Sequence, residues 1–117
     1  MMTDKIIVYT TCDSEAAAVQ LARDLVDKRL AACVNILSGV RSIYRWKDKT
    51  EDTSEWMLVI KTSRERFADL SAQIQKLHTY EVPEVIAIPI VDGSEAYLDW
   101  LHRELILPDD LPADVPS

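Results

Sequence analysis

The chain is predicted to adopt an α+β fold with elements in the order βαββαβ and one further helix at the end. Two segments repeat apolar residues at helical spacing, and polar residues typical of turns separate them from their neighbours. Segments rich in β-branched and apolar residues lie around them and predict strands. The four predicted strands are residues 5–11, 32–47, 55–62 and 85–91.

Length and composition indicate one globular domain. The chain has 117 residues, 48% of them hydrophobic, which is typical of a single soluble domain. We expect the domain at residues 1–106 and a loosely ordered tail, rich in proline and aspartate, at residues 107–117. No apolar run approaches the roughly 18 residues of a membrane helix, and the N-terminus does not resemble a signal peptide. These features predict a cytoplasmic protein with no membrane partner.

The acidic balance of the chain argues against nucleic acid as a partner. The chain has 13 basic and 20 acidic residues, and its net charge is −7. Binding to a phosphate backbone depends on basic side chains. The surplus of carboxylates attracts cations weakly, or simply keeps the protein soluble.

The first strand and helix follow from two periodicities. Residues 5–11 place apolar side chains on both faces of the strand, which suits a central position in a sheet. Asp13 or Ser14 can cap the helix that follows. The apolar stripe of this helix recurs at offsets of three, four and seven and consists of Ala18, Leu21, Ala22 and Leu25.

The next two strands are predicted to form a long hairpin. Gly39 interrupts the strand at residues 32–47, where a bulge or bend would relieve its geometry. The polar residues 47–53 predict the turn, and residues 55–62 return as the second strand.

The second half of the chain contains two helices and a short strand. The sequence Thr-Ser-Arg-Glu at residues 62–65 matches a capping box. It precedes a helix that should stop near His78. Pro89 cannot donate a hydrogen bond to a ladder, so the last strand is expected at the sheet edge. A short helix should then end near Glu104. The apolar stripe of the first of these helices is Phe67, Leu70, Ile74 and Leu77, and the closing helix is lined by Tyr97, Leu98 and Leu101.

This order of elements predicts a ferredoxin-like sandwich with helices on one face of the sheet. One layer of helices cannot cover both sides of the sheet, so the other face, which is also apolar, remains uncovered. Burial of that face against neighbouring subunits is the expected solution.

Four segments make the chain resemble the CutA family, small cytosolic trimers associated with tolerance of divalent cations. They are RLAACVNI at residues 29–36, SIYRWKDK at residues 42–49, VIKT at residues 59–62 and HTYEVPE at residues 78–84. The resemblance covers about residues 5–104. It implies a homotrimer with an architecture similar to that of the nitrogen-regulatory PII proteins, which bind small effectors in clefts between subunits.

The same resemblance implies copper as a bound metal, with other divalent cations such as zinc also possible. In the family, copper binding has been tied to a Cys near the end of the first strand and to a His pair. Here Thr10 occupies the matching strand position and Cys12 is the nearest thiol, while the His pair is reduced to Leu77 and His78.

Cys12 and His78 are the metal-ligand candidates that the residue types themselves support. Cys12 precedes a helix N-terminus, where the helix dipole favours a thiolate, and thiolate plus imidazole suits copper or zinc. Asp13, Glu15 or Glu84 could complete the site. The alternative is an adventitious surface thiol beside a helix-end histidine. Cys33 has small apolar neighbours and is expected to be a buried hydrophobe.

Lys61, Tyr80 and Glu84 form a second candidate group, a possible cleft between subunits. Lys61 ends an apolar strand, and the resemblance brings it close to the other two. Such a cleft would hold a small anion or effector in a PII-like sensor or scaffold. A structural Lys–Glu pair within the trimer is the alternative.

An enzyme is the least supported class. Lys61, His78 and Glu84 could form an acid–base site, since buried groups near a cleft can acquire useful pKa values. The two glycines lie in no phosphate-binding motif, and no GxSxG element is present. Tyr44 and Trp46 point to one face of their strand and are expected to pack at a subunit contact, with stacking on a ligand as the alternative.

Overall fold

The computed structural model describes residues 3–107 and confirms the predicted order of elements. Residues 108–117, which make up nearly all of the predicted tail, lie outside the described residues. The elements are β1 (Lys5–Cys12), α1 (Glu15–Asp27), β2 (Cys33–Trp46), β3 (Lys49–Ser63), a 3-10 turn (Arg64–Arg66), α2 (Phe67–Leu77), β4 (Ile86–Pro89) and α3 (Glu95–Glu104).

The four strands form one antiparallel sheet in the order β2-β3-β1-β4. This is the strand order of the ferredoxin-like sandwich that the sequence predicts. β1 is central, as its apolar faces indicate, and β4 lies at the edge, as Pro89 indicates. The prediction for β4 was too long, because only residues 86–89 pair with β1.

The core lies between the sheet and helices α1 and α2. Ile6 and Val8 of β1 face this side and are buried, as are Leu58 and Ile60 of β3. The predicted stripe of α1 is buried throughout. Ser14 caps α1, since its side chain accepts a hydrogen bond from the Ala17 N–H. The core residues contributed by the two helices are Ala18, Leu21, Ala22, Leu25, Leu70 and Ile74.

The opposite face of the sheet keeps large apolar side chains exposed. Ile86 and Ile88 of β4 pair with residues of β1 that point away from the core, and they are 53% and 42% exposed. Leu37 of β2 is 48% exposed. Within residues 3–107 no helix is long and apolar enough to cross a membrane.

The hairpin of β2 and β3 extends beyond the rest of the sheet. Pairing of β1 with β3 ends at Cys12 and Trp56, whereas β2 and β3 pair onward to the turn. The register shifts between Leu37 and Val40, and Gly39 has a φ of 75°, so the predicted bulge is confirmed. Residues 40–46 and 49–55 therefore form a two-stranded extension, here named the ribbon.

The turn of the ribbon is shorter than predicted. Trp46 pairs directly with Lys49, so only Lys47 and Asp48 connect the strands. Their φ angles are 49° and 66°, as in a type I′ hairpin turn. The expected turn over residues 47–53 was wrong because the ribbon is solvated, and its polar residues resemble a loop in sequence.

The predicted capping box at residues 62–65 is also wrong. β3 continues to Ser63, and a 3-10 turn precedes α2, which begins at Phe67. The Thr62 hydroxyl donates instead to the Leu30 carbonyl at 2.7 Å. A long-range hydrogen bond has replaced the local one.

The positive φ angles of the turn predict opposite effects for two substitutions. A left-handed conformation costs most residues roughly 1–2 kcal/mol and glycine nothing. Asp48→Gly should therefore raise the free energy of unfolding by about 0.5 kcal/mol after its entropic cost. Asp48→Val should lower it by about 1 kcal/mol or more. Urea denaturation measures both, and a valine variant as stable as the parent would contradict the turn geometry.

Candidate functional site

His78 directly follows α2, and both of its ring nitrogens form hydrogen bonds. Its Nδ1 lies 3.0 Å from the Tyr80 backbone nitrogen, which can only donate a hydrogen bond. Nδ1 is therefore the acceptor. Nε2 lies 2.6 Å from the Thr11 carbonyl oxygen, which can only accept, so Nε2 carries the proton. This pair of contacts fixes the tautomer and ties the segment of residues 78–84 to the end of β1.

The structure brings the two predicted metal ligands together. The Cys12 Sγ lies 3.9 Å from the His78 Nε2, although 65 residues separate them in the chain. Cys12 is 3% exposed at the end of β1. Burial raises the pKa of its thiol to about 11, and the charges of Asp13 and Glu55 add to this. This burial disfavours the thiolate that the helix N-terminus was expected to support, because Cys12 packs in the core.

The spacing of Cys12 and His78 suits a bridging metal ion, but their protonation must change first. Zinc bonds to sulfur and imidazole are about 2.3 and 2.0 Å long, so one ion spans up to about 4.3 Å. Ligation requires loss of the Cys12 proton and release of His78 from Thr11. The proton would then sit on Nδ1, which could no longer accept from Tyr80. Metal binding here would therefore release a proton and move residues 78–84.

Glu55 is the site residue that sequence reasoning missed. It is 5% exposed, and the Tyr80 hydroxyl donates to its Oε2 at 2.6 Å. Burial and this carboxylate raise the pKa of Tyr80, so the phenol stays protonated. Burial raises the pKa of Glu84, with a smaller effect from Glu55. The sequence contained one indication of this role. Glu55 lies on the same face of its strand as Met57 and Val59, which are both apolar.

A cleft of about 730 Å³ opens between residues 80–84 and the ribbon, and it extends from Glu55 at the base of the ribbon to Trp46 beside the turn. Carboxylates and aromatic rings dominate its wall. Tyr44 and Trp46, which alternate along β2, both line it. The wall contains Thr11, Asp13, Ser42, Ile43, Tyr44, Trp46, Thr53, Ser54, Glu55, Tyr80, Glu81, Val82 and Glu84.

Only part of the second candidate group meets within this chain. Tyr80 and Glu84 line the cleft, whereas Lys61 does not. Lys61 lies on the open sheet face, opposite Cys33 in the ladder, and its Nζ donates to the Asn35 side chain. Cys33 is partly exposed there, so the expectation of a buried thiol was wrong for the single chain.

Fold and site together define a small α+β protein with a long hairpin and a thiol–imidazole pair beside an acidic cleft. The chain belongs to the family described as CutA1 divalent ion tolerance protein, whose family model matches residues 6–104.

Individual relatives agree with this assignment. The chain is 45% identical over 97 residues to the divalent-cation tolerance protein CutA of Thermus thermophilus, covering 83% of this chain and 94% of that one. The structure of CutA from Xylella fastidiosa matches with a TM-score of 0.86 and 38% identity, over 89% and 100% of the two chains. CutA from Archaeoglobus fulgidus, described as periplasmic, matches with a TM-score of 0.85 and 34% identity, over 87% and 99%.

Proposed function

We propose that this protein contributes to tolerance of divalent cations by binding copper through Cys12 and His78. The observation that carries the proposal is the 3.9 Å separation of Cys12 Sγ and His78 Nε2. The family described as divalent ion tolerance proteins supports the metal role in general. That family is described by tolerance and not by a reaction, and a non-enzymatic role is part of the proposal.

The donor set favours a soft metal of low coordination number. Thiolate selects Cu(I) among the common ions, and imidazole suits copper as well. Structural zinc takes four protein ligands. Within residues 3–107 no group of three or more His, Cys, Asp or Glu side chains could hold a metal ion. Two ligands from one chain therefore suit Cu(I) better than zinc.

Assembly as a homotrimer in the cytoplasm is part of the same proposal. The exposed Leu37, Ile86 and Ile88 on the open sheet face support burial against other copies of the chain. Both cysteines are free thiols, which supports a reducing compartment. Light scattering tests the assembly, and a stable monomer at micromolar concentration would oppose it.

Calorimetric titration of the reduced, metal-free protein with Cu(I), and separately with the divalent ions Cu(II) and Zn(II), tests the copper site. We expect saturable binding at a fixed number of ions per chain, lost in a variant carrying both Cys12→Ser and His78→Ala. Cys33→Ser removes the other thiol and is the matched control, so it should bind as the parent does. Binding that survives the double variant, or that Cys33→Ser abolishes, would refute the site.

A second candidate function is that of a PII-like sensor whose cleft takes a small effector. The cleft of about 730 Å³ favours this candidate, because ligand pockets typically enclose about 300–1,000 Å³. Effector binding that survives a metal chelator would separate it from the copper proposal.

A further inference from the structure

A separate cavity of about 270 Å³ lies at the end of the sheet opposite the ribbon. Lys5 begins β1 and Ser63 ends β3, and these two residues are direct partners in the ladder. Direct partners place their side chains next to each other on one face of a sheet. Arg66 of the 3-10 turn and His102 of α3 also line the cavity. The cavity therefore collects several side chains that donate hydrogen bonds.

Lys5 is the most deeply buried charge in this wall. Its side chain is 5% exposed. An ammonium group has three N–H donors and no acceptor. One donor reaches the Asp4 Oδ1 at 2.7 Å, and a second reaches the His102 Nδ1 at 3.2 Å. Within residues 3–107 the third donor has no acceptor. A ligand oxygen would stabilise Lys5, because a buried donor without an acceptor is costly.

Ser63 is a second buried donor in the same wall. The residue is 5% exposed, and its side chain does not cap the 3-10 turn that follows it. Among the described residues its hydroxyl has no other hydrogen-bond partner either. Since Ser63 is the ladder partner of Lys5, one small ligand can contact both groups.

The charges of the wall favour an anion at its buried end. Lys5 and Arg66 are its cations, and Asp4 and Glu65 are its anions. The Asp4 side chain is 64% exposed and is paired with Lys5, and Glu65 is exposed as well. The acidic groups thus lie toward solvent, where water screens their charge, whereas the Lys5 ammonium lies inside.

Two contacts hold the other nitrogen-bearing side chains in place. The Arg66 Nε and Nη2 both donate to the Leu105 carbonyl oxygen, at 3.1 and 2.7 Å. This contact fixes a positive charge at the wall of the cavity. The His102 Nδ1 accepts from the Lys5 ammonium, which can only donate, so the ring is neutral and contributes no charge of its own.

From this surplus of buried donors we infer that the cavity binds a small oxyanion, a phosphate or a carboxylate group. Its oxygens accept hydrogen bonds from Lys5 and Ser63, and Arg66 adds a positive charge. The site is independent of the copper proposal and of the cleft beside the ribbon, because it shares no residue with either.

Titration of the full chain with sodium phosphate, and separately with sodium acetate, tests the inference by two-dimensional NMR at neutral pH and constant ionic strength. We expect saturable shifts of the amide signals of Lys5, Ser63 and Arg66. Shifts with phosphate alone would assign the site to phosphate groups, and shifts with acetate alone would assign it to carboxylates. Absence of saturable shifts with both anions overturns the inference.

Two variants of the cavity wall give the size of the effect. Lys5→Met keeps most of the side-chain volume but removes the ammonium group, and should weaken anion binding by roughly 10- to 100-fold. Ser63→Ala removes one neutral hydrogen bond and should weaken binding by about threefold to tenfold. The serine variant provides the test if Lys5→Met impairs folding. Parent-like affinity in the folded variants contradicts the site.

Lys28→Met is the matched control. Lys28 also lies 2.7 Å from an aspartate, Asp24, but its side chain is exposed and outside the cavity. This variant should bind the anion as the parent does, and an equal loss in Lys28→Met and Lys5→Met would indicate general attraction to positive charge. Glu65→Gln removes a negative charge near the site and should bind the anion at least as tightly as the parent. Weaker binding by Glu65→Gln would show that the ligand presents a cation there, and would overturn the inference.

Discussion

Leu25→Ala is expected to lower the free energy of unfolding by about 2–5 kcal/mol. Leu25 is 0% exposed and belongs to the core between α1, α2 and the sheet. The substitution removes three buried carbons and leaves a cavity, since the surrounding helices and strands can close only partly. Urea or guanidinium denaturation at fixed protein concentration measures the loss.

Val26→Ala is the matched control for this prediction. Val26 is the next residue of the same helix, and it is 40% exposed. Its truncation should change stability by no more than about 0.5 kcal/mol. If the two alanine variants lost similar stability, the placement of the core on the Leu25 face of α1 would be incorrect.

Alkylation of Cys12 is expected to be at least ~100-fold slower in the folded protein than in the denatured chain at pH 8. With a pKa of about 11, roughly one thiol in a thousand is ionised at this pH, whereas a free cysteine is ionised to about a quarter. Burial of Cys12 slows access further. Mass spectrometry of iodoacetamide-treated protein follows the rate.

The second thiol must be removed to isolate this rate. The Cys33→Ser variant leaves Cys12 alone, and the same variant in guanidinium gives the reference rate. Rapid alkylation of folded Cys33→Ser would show that the Cys12 thiol is ionised. It would then support the expectation that the helix N-terminus stabilises a thiolate at Cys12.

The raised pKa of Cys12 also fixes the sign of a pH effect on stability. The folded state disfavours the thiolate, so the unfolded chain loses this proton at lower pH than the folded chain does. The contribution of Cys12 to the free energy of unfolding is fully present below about pH 9, and it declines as the pH rises toward about 11. The difference in stability between the parent and Cys12→Ala should therefore shrink over that range.

Periodicity predicted those parts of the fold that follow from burial on one face. The stripe of α1 and the central position of β1 depend only on which side chains leave water, so alternation and helical spacing revealed them. Gly39 was informative because its backbone conformation is the one that a bulge needs. Pro89 placed β4 at the edge for an equally local reason.

Predictions from local sequence motifs were wrong where a long-range contact took the place of the local one. Thr62 matched a capping box, but its hydroxyl binds the Leu30 carbonyl instead. The pairing of Glu55 with Tyr80 joins residues 25 positions apart, and no local pattern predicts it. Cys12 and His78 were predicted as a pair with the help of the family resemblance. Their hydrogen bonds and protonation follow only from the folded arrangement.

The central position of β1 has a consequence for how the chain is made. β1 is synthesised before the other three strands, but its two neighbours in the sheet are β3 (Lys49–Ser63) and β4 (Ile86–Pro89). The edge that pairs with β3 therefore stays free until residue 63 has left the ribosome, and the edge that pairs with β4 stays free until residue 89 has. The hairpin of β2 and β3 joins strands that are adjacent in sequence, so it forms with a smaller loss of chain entropy than the pairing of β1 with β3. A nascent chain thus carries an apolar strand with two free edges, the kind of segment that chaperones shield from aggregation.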